Sequence, residues 1–448
     1  MTKSKNTSQL LQQTMEAALK QGCDAAEVVF YEHDGISVDV RNGALEKVER
    51  PTESALGLRV FFGHKQASLS TSDLSNAALE KVIEQAVAIA RLTPEDPFCG
   101  LVGEEKLFSG ADGNLDLYDK IVPGADQLKS LALEAEAAAL ENKKITKSDV
   151  SNASWHAGEY HHVASNGFEG QKKTSRFAIS TVVIAESEGG MERDYDYSMA
   201  RHLQDLKAAS EIGKEAAKRT AARVNPKKLK SQNLPIIFEN RAAASLLRHF
   251  ADAVNGKQVA KGTTFLTGDM GKKVFPDTIS IIDDPLIPRG LASKAFDAEG
   301  VSGQLISVVE GGILKSWFLD SPTARELGLE PTGHASRSLA NPPHPGPGNL
   351  RIENGAVSFQ DLIAPLEKAF LVTELIGMGV NGVTGDYSRG ASGFWIEKGQ
   401  ILYPVNEVTI AGNLKDMFLS MTPASDLEFK AAINAPSLLI DNMTVAGA

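Results

Sequence analysis

Only two cysteines, Cys23 and Cys99, occur in 448 residues, which excludes the disulfide framework that holds small secreted domains together. Long apolar runs are also missing. No stretch approaches the roughly 18 consecutive apolar residues of a membrane-spanning helix. The amino terminus, Met-Thr-Lys-Ser-Lys-Asn-Thr-Ser-Gln, is polar and passes into an amphipathic pattern with Gln12, Gln13 and Glu16, so it does not read as an export signal. A cytoplasmic chain without membrane contact is the expectation. Positive charge is in deficit as well: 46 Lys and Arg stand against 57 Asp and Glu, a formal net charge of -11, which repels a phosphate backbone on average. The densest basic run, Lys227-Lys228-Leu229-Lys230 after Pro226, reads as a solvated linker rather than a nucleic-acid contact.

What is present is the composition of ordinary folded domains, 42% hydrophobic and 23% charged, over a length that suggests two or three of them. Thr7 or Ser8 is placed to cap a helix whose apolar positions Leu11, Met15, Ala18 and Leu19 recur at helical spacing before Gly22. Glu27 to His33, then Asp34-Gly35, then Ile36, Val38 and Val40 alternating with polar residues, reads as a hairpin, and Asn42-Gly43 repeats the turn signal. Leu56, Leu58, Val60 and Phe62 continue the alternation to Gly63, and Leu79, Val82, Ile83, Ala86, Val87 and Ala90 form a helical stripe before Pro94.

That order recurs. A helix over Gln127 to Leu140 is followed by a turn at Asn166-Gly167, a strand through Phe177 to Ile184, a turn at Gly189-Gly190 and a helix from Leu203 to Arg223. The spacing from Gly43 to Gly63 nearly matches that from Gly167 to Gly189, which reads as a duplicated supersecondary unit. Asn225-Pro226 then breaks the chain, and beyond one helix, Arg241 to Val254, come short strand-like runs broken by Gly and Pro. The fold expected is therefore α+β. Residues 1–110 and 111–229 would form two similar units of antiparallel strands with flanking helices, and residues 230–448 a β-rich domain built as a bent sheet or partial barrel.

No motif completes a catalytic site. Gly377-Met-Gly379-Val-Asn-Gly382 spells the dinucleotide fingerprint, but the following Gly-Val-Thr-Gly-Asp-Tyr-Ser-Arg-Gly cannot begin the helix that such a site requires. Gly268-Asp-Met-Gly-Lys272 lacks the P-loop spacing. His156, Glu159, His161 and His162 crowd metal donors, yet on a strand His156 and His162 face opposite to Glu159 and His161, and a zinc site needs at least three convergent ligands. Gly390-Ala-Ser392-Gly393 is not a nucleophile elbow. Asp283-Asp284-Pro285 has the look of a turn support.

The carboxy-terminal half carries a resemblance. Gly385-Asp-Tyr-Ser-Arg-Gly-Ala-Ser-Gly-Phe-Trp-Ile-Glu-Lys-Gly-Gln, continuing through Ile-Leu-Tyr-Pro-Val-Asn-Glu-Val-Thr-Ile-Ala-Gly-Asn-Leu-Lys-Asp-Met, closely resembles the TldD/PmbA family, in particular its TldE (PmbA) branch. Lys261-Gly-Thr-Thr-Phe-Leu, Phe296-Asp-Ala-Glu-Gly-Val, Gly311-Gly-Ile-Leu-Lys and Arg41-Asn-Gly-Ala-Leu-Glu support it, so the likeness spans essentially the whole chain.

The resemblance implies a metallopeptidase system, also called modulator of DNA gyrase, in which TldD-type and TldE-type subunits act together on small or unstructured peptides such as microcin precursors and antitoxins. In TldD-type chains a helix bearing His-Glu-x-x-x-His and a later cysteine supply the zinc site. The corresponding helix here is Ser245-Leu-Leu-Arg-His249-Phe-Ala-Asp252-Ala-Val, and no cysteine follows Cys99, so no catalytic or zinc residue carries over.

The expectation is thus a zinc-free TldE-type subunit, silent alone, with zinc in a TldD-type partner and a possible homodimer when that partner is absent. A stand-alone hydrolase using the His156 to His162 cluster and a regulatory protein binding gyrase are the other readings. Gly385, Asp386, Arg389, Gly390, Gly393 and Trp395 are the candidates for peptide or partner contact. The glycines permit close backbone approach, Arg389 offers a fork of donors, and Trp395 an apolar surface.

Overall fold

The computed structural model describes residues 2–110, 115–188 and 190–447. The first region runs α1 (Thr2–Lys20), β1 (Ala25–Arg41), β2 (Ala44–Glu49), β3 (Thr52–Phe62), β4 (Lys65–Thr71) and α2 (Asn76–Leu92). The second runs α3 (Ala125–Leu140), β5 (Lys147–Ala164), β6 (Glu169–Ser187), β7 (Gly190–Ala200) and α4 (Ala209–Ala222). The helix, strands, helix order therefore recurs. The strands of both regions join in one sheet of order β4-β3-β1-β5-β6-β7, with β2 paired to β1. Its centre is the antiparallel β1–β5 pair, running from Glu27 opposite Ala164 to Val40 opposite Ser151.

Two-residue alternation along β1 puts two apolar blocks on one sheet face. Val28 and Phe30 pack with Leu56, Leu58 and Val60 beneath α1 and α2, while Ile36, Val38 and Val40 pack with Trp155 and Phe177 beneath α3. Each such side chain is worth about 1.5–3 kcal/mol when fully buried. The turn at Asn42-Gly43 has positive φ at both residues, 50° and 76°. Both of its amides donate to the buried Glu136 of α3, at 2.8 and 2.6 Å, which locks the hairpin to the helix layer.

Three local expectations are corrected. Asp34-Gly35 is no turn, because β1 runs straight through it; a Cβ on Gly35 would come within 2.5 Å of the His156 ring on β5, so the glycine serves a close crossing between strands. The first helix begins at Thr2, ahead of Thr7 and Ser8, since a residue suited to capping is equally able to sit exposed within a polar turn. The segment from Leu203 contains a single 3-10 turn, and its helix spans Ala209–Ala222. The amides of Leu203 and Lys207 donate to Asp119 and Ser198 instead of to a helical ladder. Of the Gly189-Gly190 turn, Gly189 lies outside the described residues, and β7 begins at Gly190.

The carboxy-terminal region opens with β8 (Gln232–Phe238) and α5 (Asn240–Ala253). Short strands between residues 281 and 352 and at Ile433–Asn434 form a small sheet. The principal sheet adds β9 (Lys368–Ile376), β10 (Asp386–Glu397), β11 (Gln400–Asn413) and β12 (Leu438–Ala446), in the order β11-β10-β9-β8-β12. Thr409 to Ala411 of β11 pair back onto Thr444 to Ala446 of β12, so the bent sheet closes into a five-stranded barrel and leaves no long free edge. Ile236, Phe238, Phe370, Val372, Ile410 and Val445 share one core with Leu246, Leu247 and Phe250 of α5.

The second face of the amino-terminal sheet docks on this region. Gly57 of β3 lies so close that an added Cβ would meet the Leu339 carbonyl oxygen at 2.4 Å. Beside it the buried Glu27 carboxylate accepts from Arg59 (Nη1, 3.1 Å), from Arg337 (Nη1, 2.7 Å) and from His162 (Nε2, 3.0 Å). Burial alone raises the Glu27 pKa, but Arg337, His162 and Arg59 outweigh it and hold the group well below the usual carboxylate range. His162 is pushed down by burial against the pull of Glu27, so at neutral pH it is an uncharged donor.

Glu27→Gln should therefore destabilise the chain by about 3–5 kcal/mol, because it strands two buried arginines. Both shifts are downward, so the stabilisation they represent is complete above the unfolded pKa values and is lost as pH falls through the folded ones. Denaturant titrations of wild type between pH 7 and pH 3 should show that acid loss, and Glu27→Gln should lack the carboxylate's part of it.

Candidate functional site

The Gly385 to Glu397 segment is the start and body of β10. Gly385 has φ +83°, a left-handed turn residue at which a side chain would be strained. Asp386 is exposed and accepts from the Thr384 hydroxyl at 2.6 Å and the Asn413 amide at 3.3 Å. Beyond it the strand alternates into the barrel. Tyr387, Ala391 and Trp395 lie in the core, where the Trp395 ring stacks on Tyr403 with centroids 6.5 Å apart. Trp395 is 6% exposed, so the apolar surface expected of it is spent on barrel packing, as an aromatic on an inward strand position will be. Gly393 is equally structural: a Cβ there would sit 1.8 Å from the Leu371 carbonyl oxygen of β9. Gly390 abuts Ile376, with 3.3 Å to its Cβ.

Arg389 is half-buried and stands next to Tyr387 and His249, and its Nε has no hydrogen-bond partner among the described residues. Helix α5 supplies His249. Its ring meets Tyr387 edge-on at 6.1 Å and 73°, and its Nε2 is a second buried atom without a hydrogen-bond partner among the described residues. Burial, reinforced by the Arg389 charge, lowers the His249 pKa, so the imidazole is neutral at pH 7. One turn on, burial raises the Asp252 pKa against the opposing charge of Arg248.

His249 and Asp252 share the wall of a cleft of about 470 Å³ with Asn255, Thr263, Met378 and Val383. Met378 is 88% exposed and Val383 57%, giving the cleft an apolar rim. The rim belongs to the turn that carries the false dinucleotide fingerprint, which is not helical. None of Gly385, Asp386, Arg389, Gly390, Gly393 or Trp395 lies on that wall. Arg389 is coupled to it through its charge on His249. Sequence reasoning missed Met378 and Val383; apolar residues between glycines that fit neither helix nor strand periodicity were the available signal.

The residues do not fit a zinc ion. His249 and Asp252 are two donors, and among the described residues no group of three or more His, Cys, Asp or Glu is placed to hold a metal. Cys23 and Cys99 are buried in the amino-terminal region. On β5 the other donors diverge as alternation requires: His156 stacks on His33 at 5.2 Å, His161 bonds Glu159 at 2.7 Å and His162 bonds Glu27. Asp284 accepts from the Leu286 amide at 2.9 Å and so supports its turn.

Family models described as PmbA/TldA metallopeptidase match residues 26–90 (domain 1), 118–224 (central domain) and 231–447 (C-terminal domain). The chain is 39% identical to Metalloprotease PmbA of Escherichia coli O157:H7, covering 98% of this chain and 96% of that one. It is 38% identical to a Metalloprotease PmbA homolog of Haemophilus influenzae, over 97% and 94%. Its fold superposes on a candidate modulator of DNA gyrase from Bacteroides thetaiotaomicron with TM-score 0.91, 26% identity and 99% coverage of each chain. TldE from Thermococcus kodakarensis shares the fold with TM-score 0.87 at 22% identity, over 98% of this chain and 100% of that one.

The geometry of β10 separates support from surface. Gly393→Ala should cost about 1–3 kcal/mol through overpacking against β9, whereas Arg389→Ala should leave the melting temperature nearly unchanged. Thermal unfolding of the two variants checks this, and equal losses would contradict it.

Proposed function

Because the chain belongs to the PmbA/TldD family of metallopeptidases, we propose that it is the zinc-free, TldE-type subunit of a two-chain peptidase whose TldD-type partner supplies the metal. The observation that carries this reading is the donor set of α5. The helix presents one neutral imidazole and one carboxylate to the cleft, where catalytic zinc requires three protein ligands. When bound in the partner, zinc would polarise the scissile carbonyl and activate water.

The part left to this chain is to bind and position peptide. An extended segment can lay side chains against Met378 and Val383, while Asn255, Thr263 and the unpartnered His249 Nε2 meet its backbone groups. A cleft of about 470 Å³ admits a few residues of loose chain and no folded domain, in keeping with small or unstructured peptide substrates in the cytoplasm. Arg389 acts through His249, its charge helping to keep the ring neutral, and is a positioning residue.

Purified alone, the chain should contain no stoichiometric zinc by elemental analysis and should cleave no peptide. Mixed with a TldD-type chain it should co-elute and gain peptidase activity. Arg389→Ala should lower kcat/KM of the mixture on the order of tenfold, as the His249 ring loses the charge beside it. One zinc per chain that disappears in His249→Ala, together with activity in the absence of any partner, would instead establish a stand-alone hydrolase.

A further inference from the structure

Away from the α5 cleft, a cavity of about 270 Å³ lies in the seam between the amino-terminal sheet and the carboxy-terminal region. Tyr160, Lys172 and Thr174 line it from β5 and β6, and Lys294, Ser336 and Arg337 from the opposite side. Three cations and no carboxylate side chain face this space, in a chain whose net charge is -11.

The cations are not satisfied. Lys172 lies over the Tyr160 ring at 4.6 Å and the Phe296 ring at 5.7 Å and forms no ion pair among the described residues. Lys294 reaches the Ala335 carbonyl at 3.5 Å, too long to be a strong bond, and likewise has no ion pair there. The Arg337 side chain is 2% exposed; its Nη1 serves Glu27, but among the described residues its Nε and Nη2 have no hydrogen-bond partner, and neither has the Tyr160 hydroxyl.

The nearest carboxylates act on the lysines by charge, Asp297 on Lys172 and Lys294 and Asp283 on Lys294, but form no ion pair with either lysine among the described residues. Glu27 already accepts three side-chain bonds. Asp297 is taken up by the amides of Glu299 (2.8 Å), Val301 (3.0 Å) and Ala335 (3.0 Å). Buried polar groups are almost always paired, and buried charges are paired or bound to a counter-ion.

We propose that this seam cavity is a binding site for a small oxyanion, a carboxylate or phosphate group, held by Lys172, Lys294, Arg337 and Tyr160. The cavity sits at the small end of ligand pockets, roughly 300–1,000 Å³, so it takes a compact metabolite or the charged end of a longer molecule. Burial, with the charge of Lys294 beside it, outweighs the pull of Asp297 and pushes the Lys172 pKa down to about 8, and burial lowers that of Lys294 against Asp297 and Asp283. An arriving anion relieves both. Because it touches both sides of the seam, its binding favours the docked arrangement of the two regions.

The test is thermal shift and calorimetry on the full-length chain with potassium phosphate and with succinate, each against potassium chloride at matched ionic strength. Phosphate or succinate should raise the melting temperature saturably above chloride. Lys172→Met and Lys294→Met should weaken the apparent affinity about tenfold or more each, the loss of one charged hydrogen bond. Methionine keeps the stem volume and removes an unpaired cation, so these variants should be no less stable than wild type in chloride. Tyr160→Phe, which removes only the unpartnered hydroxyl, should weaken binding without altering charge. A response to phosphate alone identifies a phosphoryl ligand, and one to succinate alone a carboxylate; either upholds the site. No response beyond chloride, or an equal response in wild type and all three variants, overturns it.

Discussion

The carboxylate of Glu27 is the point on which the arrangement of the two halves rests. It lies on β1, in the central strand pair of the sheet, and gathers Arg59 from β3, His162 from β5 and Arg337 from the carboxy-terminal region. Charges of this kind are tolerated in an interior only when every partner is present, so the cluster forms fully when sheet and barrel region dock and is costly otherwise. It therefore specifies the docked geometry more than it adds net stability. The glycines around it have the same function in steric terms: Gly57 lets the Leu339 backbone approach β3, and Gly35 lets His156 lie across β1.

Docking at Glu27 also creates the seam cavity. Arg337 is shared, with one nitrogen committed to Glu27 and two others directed elsewhere without partners. A guanidinium has five donors in a fixed fork, so fixing Nη1 on Glu27 also fixes the rest of the fork beside the cavity that Lys172 and Lys294 line. The polar logic of the interface and the charge of the cavity are two consequences of one side chain.

The repeated architecture was legible in the sequence because it is written in turns. Asn42-Gly43 joins β1 to β2 and Asn166-Gly167 joins β5 to β6, although β2 has no counterpart in the second region, and apolar alternation along β1 and β3 names the buried face without any structure. Asp34-Gly35 misled the reading because glycine in a strand and glycine in a turn are the same letter; what separates them is the His156 ring from a strand more than a hundred residues away. The closure of the barrel was equally hidden, since it depends on β11 pairing with β12 rather than on any local pattern. At the candidate site, the glycine-rich spacing around Arg389 marks β10 but does not distinguish inward from outward. The bulge between Ala391 and Gly393 shifts the register there, and Trp395 is committed to the core.

The thinned donor set of α5 has a physical rationale that follows from its packing. Ala251 and Phe250, between His249 and Asp252, are fully committed to the barrel core, so the helix cannot turn to present another face. A third donor on the cleft side would place several half-buried metal-binding groups together, and without a cation to hold them each carboxylate would be desolvated beside the next. With only two, the charge is small: His249 is neutral because burial and Arg389 both disfavour its protonation, and Asp252 is eased by Arg248. The sparse α5 face thus avoids that desolvation cost, and the cleft beside it keeps the apolar rim of Met378 and Val383.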